Sequence, residues 1–568
     1  MLMESKRLYA TVDRFVDITG QKSNLIAPAE QLAIQLEQFY ERPEKITKAF
    51  QNFKDNITSL GSALLNLQET KLDIDYIALQ SSNQKIKKDN SNFFKNMKHE
   101  IGSFFTSFFV DSDSFGNVYD EDADHTIQVW IVSGRDQSEL LKTIIDDSFT
   151  PATGINVNLK LIIADSLLNA VMAGNGPDVV VSLYSTAPVD YALRNGNINL
   201  KRFPDCDEVL KRFKPSGYEP YKYNGGLYAL PETEVFNLLF YRKDILEQLG
   251  LEVPQTWEDL INILPTLQGN NLNVGIPYPN IQFPDMTTFY SMILQNGGTI
   301  YNEKGSKSVI DSEAGIKAFK LYTSYFNDYG LPTIYDFMTR FRTGEMPVGI
   351  APYSTYNTLA VGAPEIRNLW DISYMLGTKM PDGSIYRGNA AGTTCTMMVK
   401  KGSDLDDYNL ANAKELVASA FNGQRLPDGM VPGIDARTWK EIQRNEDRLQ
   451  DSWKFVKWWL STETQVRFGR EQEAIVGPSG RYTTANVDAL KQLSWRSSEL
   501  KVILQTFDQT VGVPEVPGSY YTPRHVVNAI RKIVNEQDDP RETLIDYTRK
   551  INEELVRKRQ EFNLPVEE

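Results

Sequence analysis

The sequence predicts an α/β fold preceded by a helical region, and three observations carry that prediction. From Thr126 the chain alternates short apolar strands with amphipathic helices, the spacing of parallel strands covered on both faces. Before about residue 122 the apolar residues recur at helical spacing instead. The 568 residues exceed a single core and suit roughly two to four domains.

Composition narrows the function classes. An apolar fraction of 41% and a charged fraction of 24% are those of a globular chain. A net charge of −14 argues against nucleic acid and anionic membrane surfaces as partners. Aromatics reach 11%, and many tyrosines stand in loop-like contexts, where they suit flat, hydroxyl-bearing molecules or simply pack. Cys206 and Cys395 are expected to be free, and no Cys/His spacing resembles a metal or haem site, so no metal ligand and no cofactor is expected. No run of about 18 apolar residues is present.

In the first region Ile46, Phe50, Phe53, Ile57, Leu60, Leu64 and Leu67 form a seam with alternating steps of four and three. A second helix, from Asn92, carries an aromatic face through Phe108, and the acid-rich stretch Asp111–His125 reads as a linker. Then TIQVWIVS is a strand, Asp136–Phe149 a helix, NVNLKLIIA a strand, Ser166–Ala173 a short helix and DVVVSLY, Asp178–Tyr184, a third strand. Ligands of such sheets bind at the carboxyl ends of strands, which makes Ser133–Asp136 and Tyr184–Thr186 candidates. The first strand runs into SGRDQS, which is not the G-x-G-x-x-G of a dinucleotide site, and no phosphate-binding G-x-x-x-x-G-K-[ST] loop exists.

The stretch KYNGGLYALPETEVFNLLFYRKDILEQLGL, Lys222–Leu251, places Glu232 and Glu234 on a strand otherwise suited to a core. Residues i and i+2 of a strand share a face about 6.5 Å apart. A glycosidase pair needs about 5–9.5 Å but on opposite sides of the scissile bond. No His, Arg or second acid cluster supports acid–base work here, so the chain is not expected to be an enzyme and no catalytic residue is assigned. Farther on, Thr256 with Asp259 marks a helix start, Asn296–Gly298 is a turn, and Asp311 or Ser312 caps a helix. Phe341–Tyr356 feeds a strand ending in Tyr353, WKFVKWWL is an aromatic helix, and two mixed-charge helices close the chain.

AGNGPDVVV, YNGGLYALPETEVFNLLFYRKDILEQLGLEVPQTWEDL, QNGGTIYNEKGS, FRTGEMPVGIAPYSTY and WKFVKWWLSTETQVRFGRE follow one another in an order and spacing that resembles the extracellular solute-binding proteins of carbohydrate ABC transporters. The likeness covers about residues 126–565 and includes the maltose-binding cluster; the helical region 1–122 resembles that of the large YtcQ-like lipoproteins of Gram-positive bacteria. It implies a two-lobed α/β protein of the periplasmic-binding-protein kind with a ligand cleft, hinge closure and delivery of the ligand to membrane permease subunits. One lobe would take 126–234 plus 371–405 and the other 235–370 plus 450–568, with 406–450 a helical insertion and 1–122 a helical region with its acidic linker. The ligand would be a carbohydrate held by Tyr184, Ser185, Glu232, Thr233, Phe283, Asp285, Tyr353, Tyr386, Arg387 and Asn389, with Glu234 a hinge residue and Trp370 as well placed for a core. A monomer at the cell surface is implied, yet MLMESKRLYATVDRFVDITG has no apolar h-region. The chain is therefore expected to be the later portion of a longer exported protein or the product of a mis-started gene. A surface glycan sensor or scaffold without a transport role, and more remotely a glycan-processing enzyme, are the alternatives.

Overall fold

The computed structural model describes residues 1–19, 26–43, 125–280, 284–401 and 436–566, together with positions 46, 53, 56, 57, 60 and 404. Two compact units result, Met1–Phe109 and Val110–Glu568. In the first, helices Leu2–Thr19 and Ala27–Glu41 pack on each other: Val12, Leu32, Ala33 and Phe39 are buried, and Ser5 Oγ donates to the Ala33 carbonyl at 2.9 Å. Of the apolar seam, Ile46, Phe53, Ile57 and Leu60 are helical, and the Phe53 ring lies 5.6 Å from Phe39. Phe50, Leu64, Leu67, the aromatic helix from Asn92 and the linker before His125 lie outside the described residues.

The second unit opens with β1 (Thr126–Ile131), β2 (Asn156–Leu161) and β3 (Val179–Tyr184), which pair in parallel in the order β2-β1-β3. Alternate burial along β1 fixes its register: Ile127, Val129 and Ile131 face the core. The helix between β1 and β2, Arg135–Ile144, continues as a π-helical turn, Ile145–Phe149, and stops where Gly154 turns left-handed at φ 71°. That wider turn seats Phe149 under the sheet, fully buried.

The strand drawn from the acid-bearing stretch is β4 (Leu230–Arg242), 13 residues long. It is followed by β5 (Val274–Gly275), β6 (Val348–Pro352), β7 (Trp370–Ser373), β8 (Asn389–Met398) and β9 (Thr510–Val511). Among the described residues these build a mixed nine-stranded sheet, β2-β1-β3-β8-β4-β6-β5, with β7 also on β4 and β9 also on β8. The first half of β4 pairs with β8 and the second half with β6 and β7. One strand therefore links the two halves of the sheet, and β9, in parallel with Asn389–Ala390, adds a later passage. Thr256 and Asp259 form the expected capping box, with Asp259 N donating to Thr256 Oγ1 at 3.1 Å and Thr256 N to Asp259 Oδ2 at 2.9 Å.

Two apolar cores flank the crossing. Val129, Leu159 and Val180 belong to one; Leu260, Phe289, Phe319 and Ile530 belong to the other. The division of the chain differs from the expected one. Leu449–Phe507 joins the first core rather than the second, and only from Val516 do buried side chains join the second. Phe341, Tyr353, Tyr356 and Trp370 also join the first core, whereas Met375 and Leu376 join the second. The reason is aromatic: Trp453 stacks on Phe203 at 4.7 Å, and Phe455 meets Phe149 edge-on at 5.4 Å. Of the expected insertion, 406–435 lies outside the described residues, and the remainder opens a continuous helix, Ala436–Trp459. Arg448 on that helix forms ion pairs with Asp178 and Asp404, and Arg202 pairs with Glu446 at 3.0 Å. Trp453→Ala removes the stacked ring and leaves a cavity; urea unfolding is expected to show a loss of about 3–5 kcal/mol.

Candidate functional site

Alternation along β4 decides what its acids do. Glu232, Glu234 and Phe236 point inward, whereas Thr233 and Val235 are partly exposed. Glu232, 2% exposed, accepts from Ser182 N at 2.8 Å, Ser182 Oγ at 2.7 Å, Thr396 Oγ1 at 3.2 Å and Tyr482 OH at 3.1 Å. Four donors from β3, β8 and the Tyr482 loop saturate it. Ser182 has φ 59°, a conformation unusual for a residue with a Cβ, and two of those hydrogen bonds hold it there. Glu232 is thus a joint between strands, and its carboxylate is not presented to solvent.

Glu234 is fully buried, and Ser216 Oγ donates to its Oε1 at 2.7 Å while also meeting Thr510 Oγ1 at 2.7 Å. Its Oε2 has no hydrogen-bond partner. Burial pushes this carboxyl up to about 7, against the opposing effects of Ser216, Thr510 and Lys214. Ser216 and Gly217 lie in a short helix, Pro215–Tyr218, that the later passage touches: a Cβ on Gly512 would stand 2.4 Å from the Ser216 carbonyl oxygen. Glu234 therefore sits where β4 and β9 are held together.

The strand registers locate the open side. Tyr184 pairs with Thr394, Thr394 with Thr233, and Pro352 with Asn237. β3 and β6 both run toward the same stretch of β4 from opposite directions, and their ends are separated by a step of four residues, about 13 Å. β5 and β6 are parallel, and their carboxyl ends open on a cavity of about 840 Å³. Its walls include Pro277, Tyr278, Asp285, Tyr335, Phe337, Pro352, Thr355 and Arg531. The floor is a ring against bare backbone: a Cβ on Gly349 would lie 2.1 Å from Phe337 Cε2 and one on Gly275 2.9 Å from Phe337 Cδ2. Tyr278 is braced edge-on by Phe326 at 4.9 Å. Burial pushes the Tyr278 phenol up, opposed by nearby Arg531, and burial raises Tyr335 as well, so both remain hydrogen-bond donors near neutrality. Asp285 accepts from Thr287 N at 2.9 Å and Thr287 Oγ1 at 2.6 Å, which orients it at the start of helix Thr287–Gln295. Ile334 stands 84% exposed on the rim. Aromatic faces, a carboxylate, a guanidinium and hydroxyls in one recess can stack on an apolar ring face and hydrogen-bond the hydroxyls around its edge.

The sequence-derived residues divide three ways. Asp285 lines this cavity, and Phe283 beside it lies outside the described residues. Tyr184, half-exposed at the end of β3, and Ser185 after it stand at the strand end expected of them; burial and the charges of Asp165 and Asp190 raise the Tyr184 phenol. Thr233 Oγ1 shares a 2.7 Å hydrogen bond with Thr394 Oγ1 on the partly exposed face of β4. The remainder point elsewhere. Tyr353 is buried, stacks on Phe236 at 4.7 Å and donates to the Glu234 carbonyl at 3.1 Å. Asn389 is buried, with Nδ2 donating to the Asn237 carbonyl at 2.7 Å. Arg387 donates to the carbonyls of Gln255 at 2.9 Å and Met375 at 2.7 Å, which fixes it as a loop brace. Tyr386 is exposed on the hairpin Thr378–Tyr386, away from this recess, and Trp370 is in the core beside Phe240 and Tyr356. Tyr278, Tyr335, Thr355 and Arg531 escaped the sequence reading. The strand-end rule finds Tyr278 once β5 is known, but β5 is two residues long and leaves no periodic signal.

Residues 134–360 match the model of a family described as bacterial extracellular solute-binding protein. A putative binding protein of Brucella abortus (strain 2308) is 25% identical over 229 residues, which is 38% of this chain and 54% of that protein. The arabinooligosaccharide-binding protein of Bacillus subtilis (strain 168) is 27% identical over 172 residues, 29% of this chain and 37% of that protein. The chain thus spans about half the length, or less, of these curated relatives. Among solved structures, the sugar-binding protein MalE from Xanthomonas citri superposes with a TM-score of 0.56 at 17% identity, covering 78% of this chain and 100% of that one. A cyclic alpha-maltosyl-1,6-maltose binding protein from Arthrobacter globiformis gives 0.57 at 13% identity, covering 76% and 98%. The second unit has the two-lobed α/β fold of these proteins.

Glu234 also makes stability depend on pH. Its folded value of about 7 lies above the ordinary 4.5, so the folded state holds the proton more tightly between those limits. Its contribution is complete below about pH 4.5 and is lost as pH rises to about 7. The difference between wild-type and Glu234→Gln unfolding free energies, measured by urea titration from pH 4 to pH 8, is expected to shift in that window and to be flat above it.

Proposed function

We propose that this two-lobed protein is the extracellular substrate-binding component of an ABC importer, taking a sugar or oligosaccharide into the recess at the carboxyl ends of β5 and β6. The observation that carries the reading is that recess itself, where Tyr278, Tyr335 and Phe337 stand with Asp285 and Arg531 around about 840 Å³. The volume fits a small-molecule ligand. Stacking on the rings would supply affinity, while Asp285 and Arg531, as charged partners for neutral hydroxyls, would supply orientation. That the similar structures are a sugar-binding and a cyclic-maltosyl-maltose-binding protein, and that the Bacillus relative binds arabinooligosaccharide, supports the ligand class.

In this reading Tyr184 and Ser185, at the end of β3, complete the site when the lobes close. The crossing strands bend while Glu232 keeps β3, β8 and the Tyr482 loop in register. The closed form is what membrane permease subunits recognise. The role is one of binding without catalysis, which the inward direction of Glu232 and Glu234 supports. Attachment at the cell surface through a lipid, a monomeric state and a place among the YtcQ-like group complete the proposal.

A thermal-shift screen over mono- and oligosaccharides tests it. A true ligand at 100 times its dissociation constant is expected to stabilise the protein by about 2.7 kcal/mol. Tyr278→Ala and Arg531→Ala are each expected to weaken that ligand about tenfold or more while leaving the unliganded melting temperature within a few degrees. Unchanged melting across a broad glycan panel, or affinity indifferent to both substitutions, defeats the reading.

A further inference from the structure

A second cavity, of about 890 Å³, lies beside the later passage between the cores. Its walls come from the hairpin after Glu219, from the loop Thr299–Gly305, from Val511–Pro517 and from the end of the chain at Leu564 and Pro565. Most of the wall is apolar: Leu294, Ile300, Val511, Val513, Val516 and Leu564. Glu515 also lines it. Ser519 Oγ donates to Glu515 Oε2, and among the described residues no cation forms an ion pair with this carboxylate.

The cations nearby have partners of their own. Lys222 pairs with Glu219 at 2.7 Å, and Arg559 Nε donates to the Pro565 carbonyl at 2.8 Å. The groups whose titration feels Glu515 are the phenols of Tyr290 and Tyr301, both uncharged at neutral pH. An unpaired carboxylate in an apolar wall is a costly arrangement that a cation entering from solvent would relieve. The apolar remainder would accept the carbon skeleton attached to that cation. Tyr223 and Tyr301 also line the cavity, and it is the carboxylate without an ion-pair partner that favours a cation over a neutral sugar.

We propose that this cavity is a binding site for a small organic ammonium ion, with Glu515 as the counter-ion and the valine-rich wall as the seat of its apolar body. The site is separate from the proposed sugar site: the lining residues of the two cavities do not overlap. Desolvation pushes the Glu515 carboxyl up to about 7, so the carboxylate form required for pairing is favoured above that pH. Glu219, Lys222, Glu303, Lys304 and Arg559 also face the cavity.

The probe pair is cyclohexylammonium and cyclohexanol, titrated calorimetrically into the full chain at pH 8 and pH 6. Saturable binding of the amine at pH 8 is expected, at least tenfold tighter than the alcohol and at least threefold tighter than the amine at pH 6. Glu515→Gln, which keeps the Ser519 contact, is expected to abolish the preference for the amine, and Val513→Trp, which fills the cavity, to abolish binding of both. Sugar binding by either variant at wild-type affinity separates this site from the first. Equal binding of amine and alcohol, no binding of the amine, or an amine affinity unchanged in Glu515→Gln overturns the proposal.

Discussion

A strand that links two halves of a sheet has to satisfy two sets of neighbours with one alternation of side chains. β4 spends its first half against β8 and its second against β6 and β7. In an ordinary buried strand both faces would be carbon. Here the inner face meets backbone groups that no regular pairing satisfies, among them the N–H of Ser182 in its left-handed turn. Glu232 answers that demand, and the position of β3 relative to β8 follows from it. Without a carboxylate at that point, Ser182 would lose the hydrogen bonds that hold its backbone, and the strand end bearing Tyr184 would lose its aim.

The same logic separates structural polar groups from those left for a ligand. Asn389, Arg387, Tyr353 and Glu232 direct their polar atoms into the protein, where an unpaired group is expensive. Asp285 and Arg531 are held at the edge of a recess by their helices and keep capacity toward solvent. Polar character alone does not mark a binding residue. What marks it is hydrogen-bonding capacity left over once the fold has been satisfied.

That distinction explains how much the sequence disclosed. β1, β2 and β3 were legible because their burial alternates or is continuous over six residues, long enough for a period to register. The strand bearing Glu232 and Glu234 was legible too, as was the capping box at Thr256 from its Thr-x-x-Asp spacing. The site was legible only in part. A tyrosine after a strand can turn outward, as Tyr184 does, or inward, as Tyr353 does, and the two look alike in one dimension. Arg531 sits on the polar side of an amphipathic helix, where sequence offers no contrast with any surface arginine. The aromatic helix WKFVKWWL was recognised as a helix, but the partner of its rings, Phe149 and Phe203, is some 250 to 300 residues away in the chain and left no local trace.

Phe337, which lines the first recess, is seated on glycine backbone, with contacts too close for any added carbon at Gly349. Depth is therefore fixed by the fold, whereas the rim, from Thr333 to Tyr335 and at Arg531, is bounded by solvent. Inheritance would act unequally on the two. Related chains could drift from one ligand to another by exchanging rim side chains, each a change with little effect on folding, while the ring seated on glycine stayed the same. A family built on this recess would be diverse in what it captures and uniform in how deeply it holds it.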